Sequence, residues 1–206
     1  MKRLVLLVAV LFALSNVASA AIITSVDRSG GASGNRDPYG TYDGDDPVLA
    51  SDPGGLAAGV YIFSDRTMHY AFVPADLVGA EYIRTFNSDK NNDGSATYAV
   101  TLSTGCIYAI AIDDRFGGSQ QGMVDAIASA VVPAGTFVDT TLNLVTDEST
   151  QQSLSVFATA LPAGTHTFVS NGFAGQNNYM VMGAIPEPAT IALLGFGGLA
   201  LIRKKR

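Results

Sequence analysis

The chain is poor in the residues that supply covalent bracing and most acid–base chemistry. Its 206 residues include one cysteine, two histidines and no tryptophan. A single cysteine excludes an internal disulfide, so stability must come from a packed core. Cys106 opens the apolar run 106–112 with nothing basic beside it, and reads as a small buried hydrophobe, not a reactive thiol. The histidines are His69 and His166, and no Gly-x-Ser-x-Gly elbow, His-Glu-x-x-His run or phosphate-binding glycine loop occurs. The expectation is a protein that is not an enzyme.

Positive charge is scarce where a binding surface would need it. Of 12 Lys+Arg, six lie at the extreme ends (Lys2, Arg3 and residues 203–206), while residues 21–185 hold seventeen acidic and six basic residues, a net −11. Phosphate binding needs clustered basic surface, so nucleic acid is excluded as a partner. With 48% apolar and 15% charged residues, the chain has material for a core and is too apolar to be disordered.

Both ends read as addresses. Lys2 and Arg3 precede eleven uninterrupted apolar residues, 4–14, and then Ala18-Ser19-Ala20. A basic start, a short apolar stretch and an Ala-x-Ala ending form a secretory signal peptide, cut by signal peptidase after Ala20. The other end reads Pro186-Glu187-Pro188, an uncharged run at 189–202, then Arg203-Lys204-Lys205-Arg206. As a helix at about 1.5 Å per residue, fourteen residues span roughly 21 Å, short of a hydrocarbon core of about 30 Å. The terminal cations stay on the cytoplasmic side and leave the exported body outside. Gly195, Gly197 and Gly198 weaken a permanent anchor and permit close approach of a partner helix or a processing enzyme.

Pro186-Glu187-Pro188, the short glycine-containing apolar segment and the four terminal cations together resemble a PEP-CTERM sorting signal. The resemblance covers about a tenth of the chain, and an ordinary tail anchor is the alternative. It implies a protein of Gram-negative bacteria that make extracellular polysaccharide, recognition by the membrane protease exosortase, processing near Pro-Glu-Pro and delivery to the cell surface. Glu187, held extended between two prolines, is the residue expected to carry recognition.

The division is therefore 1–20 signal peptide, 21–185 exported domain and 186–206 sorting segment. Residues 27–59 hold eight glycines, six aspartates and three prolines, turn chemistry without apolar periodicity, and read as an irregular surface segment with at most one short edge strand. Beyond it, short strand patterns occur at 60–63, 69–73, 82–86, 96–102, 106–112, 137–146, 154–161, 165–170 and 179–184. Residues 96–102 put Ala96, Tyr98, Val100 and Leu102 on one face, whereas 106–112 is apolar on both and predicts a central strand covered twice. Met123, Val124, Ile127 and Val131 mark one short helix. The fold class expected is all-β, an antiparallel β-sandwich of jelly-roll type, with a partly closed barrel as the alternative. Pro133-Ala134-Gly135-Thr136 recurs as Pro162-Ala163-Gly164-Thr165, which reads as reuse of one hairpin turn.

Three groups could carry chemistry in the body. Asp89, Asn91 and Asp93, followed by Gly94, resemble the first half of a calcium loop, but the closing glutamate is missing and Val100 stands at the twelfth position. An Asn-Asp-Gly hairpin turn explains the same residues. Asp113-Asp114-Arg115 predicts a strand-end clasp between one aspartate and Arg115, with paired carboxylates of a sugar hydrolase as the sharper alternative. A carbohydrate face, if present, falls to Tyr39 and Tyr42 in the Gly/Asp-rich segment. The expectation is an exported surface protein associated with envelope or exopolysaccharide, with a carbohydrate- or Ca²⁺-binding module as the alternative.

Overall fold

The computed structural model describes residues 21–30, 55–91, 96–170, 177 and 180–185. The signal peptide, most of the Gly/Asp-rich segment with Tyr39 and Tyr42, Asp93 and the sorting segment from Pro186 onward lie outside the described residues.

The described chain is mostly β. One sheet holds β1 (Ile23–Ser29), β4 (Thr97–Leu102) and β8 (Gly164–Val169), with β4 between the other two. The second holds, in spatial order, β2 (Tyr70–Phe72), β6 (Val138–Thr146), β7 (Ser153–Leu161), β5 (Cys106–Asp113), β9 (Met180–Ile185) and β3 (Tyr82–Ile83). Every pairing of these strands is antiparallel. The helix α1 (Gln120–Ile127) starts at Ser119, whose hydroxyl accepts the Gly122 N–H at 3.1 Å, and buries Met123, Val124 and Ile127.

Side-chain alternation explains the layering. In β4 Tyr98, Val100 and Leu102 point inward while the intervening residues are half-exposed, the period of two read from the sequence. β5 is the doubly covered centre, flanked by β7 and β9. Its Tyr108, Ile110 and Ile112 meet Ile23, Val26, Tyr98, Val100 and Phe168 of the smaller sheet. Tyr108 stacks on Phe168 at 5.0 Å between centroids, tying the sheets together. The opposite face of β5 presents Ala109 and Ala111 to a second cluster that includes Leu56, Ile62, Phe63, Tyr70 and Leu77. Residues 55–91 thus form a lid of short turns over the far side of the larger sheet, and small alanines let that lid approach closely.

The structure adds to the sequence reading and corrects it. β1, an edge strand, starts at residues 23–26, for which no element was expected, and ends in the Gly/Asp-rich segment, where at most one short edge strand was. A register shift between Ile23 and Ser25 separates its buried Ile23 and Val26 by three residues, so no period of two is visible. Residues 60–63 make only isolated bridges, Tyr61 to His69 and Phe63 to Thr85. β4 pairs with β1 and β8, and not with the strand before it, while the turn expected at Asn92-Asp93-Gly94 lies outside the described residues. Finally, the two Pro-Ala-Gly-Thr turns are not hairpins: one leads from α1 to β6, the other carries the chain from β7 in the larger sheet to β8 in the smaller. Their likeness is local, a glycine with positive φ in each, Gly135 at 77° and Gly164 at 133°.

Candidate functional site

The Asp113 end of β5 collects the buried polar groups of the molecule. Asp65, Asn87, Ser88, Asp89 and Asp113 are all at most 2% exposed, an arrangement tolerated only when each is hydrogen-bonded or ion-paired. The turn at 87–91 is the hub. Asp65 accepts the backbone N–H groups of Asn87 at 2.7 Å and Ser88 at 3.0 Å, and the Ser88 hydroxyl at 2.6 Å. Arg66 donates to Asp65 at 3.0 Å and to the Ser88 hydroxyl at 3.0 Å. The Asn87 amide donates to Asn177 at 3.3 Å, and the Asn177 N–H reaches Asp113 at 3.1 Å.

Asp89 sits beneath this turn. Arg28, on β1, grips both carboxylate oxygens, Nε to Oδ2 at 2.9 Å and Nη2 to Oδ1 at 2.6 Å. The Tyr98 hydroxyl donates to Oδ2 and accepts the Phe86 N–H at 2.9 Å, while the guanidinium lies 4.4 Å over the Phe86 ring. The hydrogen bonds from Arg28 to Asp89 raise the guanidinium pKa, outweighing the opposing effect of its burial.

The clasp expected at Asp113-Asp114-Arg115 is present. Arg115 donates its backbone N–H at 3.0 Å and its Nε at 2.9 Å to Asp113 Oδ1, and also lies 3.6 Å from Glu148. Burial pushes the Asp113 carboxyl up, but the donors from Arg115 and Asn177 outweigh it and leave its pKa below the ordinary value. Asp114 instead binds Ser155 through N–H at 3.1 Å and hydroxyl at 2.7 Å, and Gln120 at 2.7 Å. Lys90 completes the group: burial, then the charges of Arg66 and Arg115, lower its ammonium pKa. Four of the six cations of an acidic body, Arg28, Arg66, Lys90 and Arg115, are therefore gathered at one pole, three of them in ion pairs with Asp89, Asp65 and Asp113.

Two of the three candidate calcium ligands lie among the described residues. Asp89 is fully buried with its oxygens on Arg28 and Tyr98, whereas Asn91 is exposed at the end of the turn and Asp93 lies outside the described residues. A carboxylate held by a bidentate guanidinium is an ion-pair partner, and Asp89 is engaged in that way. Among the described residues no three His, Cys, Asp or Glu converge as a metal site. His69 pairs with Asp147 at 2.9 Å and stacks on Tyr61, while His166 contacts the Pro162 carbonyl at 2.9 Å. Cys106 is buried as expected.

Sequence reasoning missed Arg28, Asp65 and Tyr98. Tyr98 reads as plain core in an alternating strand, yet a buried phenol needs a partner, which was the available signal. The partners are 61 residues apart for Arg28 and Asp89, beyond any local pattern.

The first twenty residues and the signal cleavage residues Ala18 and Ala20 lie outside the described chain, as do Pro186, Glu187, Pro188 and residues 203–206. The structure does place the point where the sorting segment begins. β9 pairs with β5 up to Ile185 opposite Ile107, so Pro186 follows a strand of the main sheet with no intervening linker. No helix among the described residues is long and apolar enough to cross a membrane.

No curated protein matches the chain. Among solved structures, a β-glucuronidase from glycoside hydrolase family 2 aligns over 69% of this chain and 14% of its own, at 21% identity and a TM-score of 0.49. A GH138 enzyme targeting pectin rhamnogalacturonan II aligns over 61% of this chain and 14% of its own, at 12% identity and a TM-score of 0.43. The chain spans about a seventh of the length of either enzyme. A family model does match at the C-terminus, over residues 184–206, and its first two residues are the last two of β9. The chain carries a PEP-CTERM protein-sorting motif, the mark of an exported protein that passes to the membrane for sorting by exosortase.

Proposed function

We propose that this is a non-enzymatic surface protein, freed of both terminal segments and associated with the cell envelope or exopolysaccharide. The sorting motif carries the proposal, because it is joined directly to the folded body and makes that body the cargo. The body is a jelly-roll-like β-sandwich in this reading, supported by the core shared between its two sheets. Its non-enzymatic character is supported at Asp113 and Asp114, whose oxygens hold Arg115, Ser155 and Gln120 and build the pole itself. Signal peptidase acts after Ala20 and exosortase at Pro186-Glu187-Pro188.

Intact mass of the surface-released protein tests this. The expected mass starts at Ala21 and excludes residues 191–206. A mass that includes the basic terminus refutes tail removal, and unchanged surface delivery of Glu187→Ala refutes recognition through that carboxylate. A carbohydrate-binding role is the alternative reading, although Arg66 and Arg115 are already paired with Asp65 and Asp113. A glycan array and a calcium titration on the exported protein test it and the Ca²⁺ alternative together.

A further inference from the structure

Both ends of the exported body leave the same pole. At its start, the Ser103 hydroxyl donates to the Ala21 carbonyl at 2.8 Å and the Ser103 N–H to the Ile22 carbonyl at 2.7 Å. Glu81 fixes the same segment, accepting the N–H groups of Ile22 at 2.9 Å and Ile23 at 2.8 Å. At its end, Ile185 pairs with Ile107. Ser103 and Ile107 are four residues apart, at most about 14 Å of chain, and each end lies about one strand spacing of ~5 Å away, so the two ends stand within about 24 Å.

Charge is sparse at this pole, where Glu81 is committed to the Ile22 and Ile23 N–H groups. Residues 103–107 and 160–164 carry no charged side chain, and most of them are exposed, Ile107 among them. Asp65, Asp89 and Asp113, with Arg28, Arg66, Lys90 and Arg115, lie at the opposite end of β5, about 24 Å away for seven steps of strand. The tether is short at this pole. From Pro186 to the first residue of the apolar run at 191 the chain reaches at most about 18 Å.

We infer that the pole formed by residues 103–107 and 160–164 is the surface the body lays against the bilayer while its tail is inserted. A face sparse in charge, with Glu81 held by backbone N–H groups, meets anionic headgroups with less repulsion than the acidic body brings elsewhere. The inference rests on the sorting segment acting as a membrane anchor before cleavage. It goes further by assigning the orientation of the cargo and a contact surface that the motif alone does not specify.

The test uses the full chain reconstituted in phosphatidylglycerol-containing vesicles with nitroxide-labelled headgroups, in a Cys106→Ala background. Single cysteines at Thr104→Cys or Ala163→Cys report the proposed contact pole, and Ser149→Cys, in the exposed turn after β6, reports the far pole. Because the poles are about 24 Å apart, quenching of a fluorophore at 104 and 163 is expected to exceed that at 149 by at least about threefold. Equal quenching at all three sites, or stronger quenching at 149, overturns the inference. Failure of the chain to float with the vesicles overturns the anchoring reading beneath it, so the two failures are told apart.

Discussion

Asp89→Asn should be among the most damaging substitutions that leave the size and shape of a side chain unchanged. The Arg28 side chain is 12% exposed and that of Asp89 fully buried, so removing the negative charge strands a guanidinium in the core with no replacement partner. Breaking a buried pair from one side costs about 3–5 kcal/mol, and at about 2–4 °C per kcal/mol for a domain of this size the melting temperature falls by roughly 6–20 °C. Replacing both partners together, Arg28→Met with Asp89→Leu, removes the stranded charge and should cost far less than the two single changes combined. A double-mutant cycle by urea denaturation of the exported protein measures this coupling. Calcium supplies an independent arm. A metal site holding Asp89 would gain about 2.7 kcal/mol at a hundred times its dissociation constant, whereas the ion pair predicts no rise in melting temperature with added Ca²⁺. An Asp89→Asn cost below about 1 kcal/mol, or a calcium-dependent rise lost in that variant, would falsify the ion-pair assignment.

The remaining predictions address other parts of the body. Gly55→Ala should destabilise by more than about 1 kcal/mol, because Gly55 has φ +71° and an added Cβ would meet the Gly79 carbonyl oxygen at 2.6 Å; an unchanged denaturation midpoint would count against the packing of the 55–91 lid. Glu81→Ala should cost about 1–3 kcal/mol by leaving two backbone N–H groups of Ile22 and Ile23 without their acceptor. Hydrogen exchange at Ile22 and Ile23 should accelerate while β5 stays protected. Asp113 makes stability depend on acid pH in a definite direction. Its folded pKa lies below the ordinary value of about 4, so its contribution is complete above that value and is lost as pH falls through the lower, folded one. Asp113→Asn should therefore flatten the loss of stability below about pH 4, and an unchanged slope would rule out this source.

What could be read in advance divides along the range of the interactions. The period of two in β4, the unbroken apolar run of β5, and Met123, Val124 and Ile127 of α1 are local signals, and each reappears as an element. The clasp at Asp113 and Arg115 was legible for the same reason, its partners being two residues apart. β1 was hidden by a bulge, and the lid at 55–91 by being mostly turns, whose order comes from Leu56, Ile62 and Leu77 packing under it. The Arg28 and Asp89 pair was hidden by topology, since only the pairing of β1 with β4 carries Arg28 to Tyr98 and so to the buried carboxylate. At Asp89 spacing alone could not show the ion pair: oxygen side chains at alternate positions fit a calcium-loop pattern, and the fold turns the first of them inward onto Arg28.

The same logic bears on how the two ends relate to the domain between them. The sorting motif was the most legible feature because it must be read by a partner from a short linear stretch, whereas the pole from which it emerges is defined only by the assembled sheets. β4 ends at Leu102, and the turn at residues 103–105 carries the chain from the smaller sheet to the larger, so one short connection holds both Ala21 and the strand opposite Ile185. Because β9 lies between β5 and β3, the motif is joined to an interior strand of the sheet. A protease that engages Pro186-Glu187-Pro188 must therefore work beside a folded body, or unzip the Ile185 end of β9 first. Inserting a flexible Gly/Ser spacer between Ile185 and Pro186 separates these cases. If access beside the body limits the rate, the spacer should speed release of the surface form in a pulse-chase experiment. An unchanged rate would show that close apposition of body and motif does not govern cleavage.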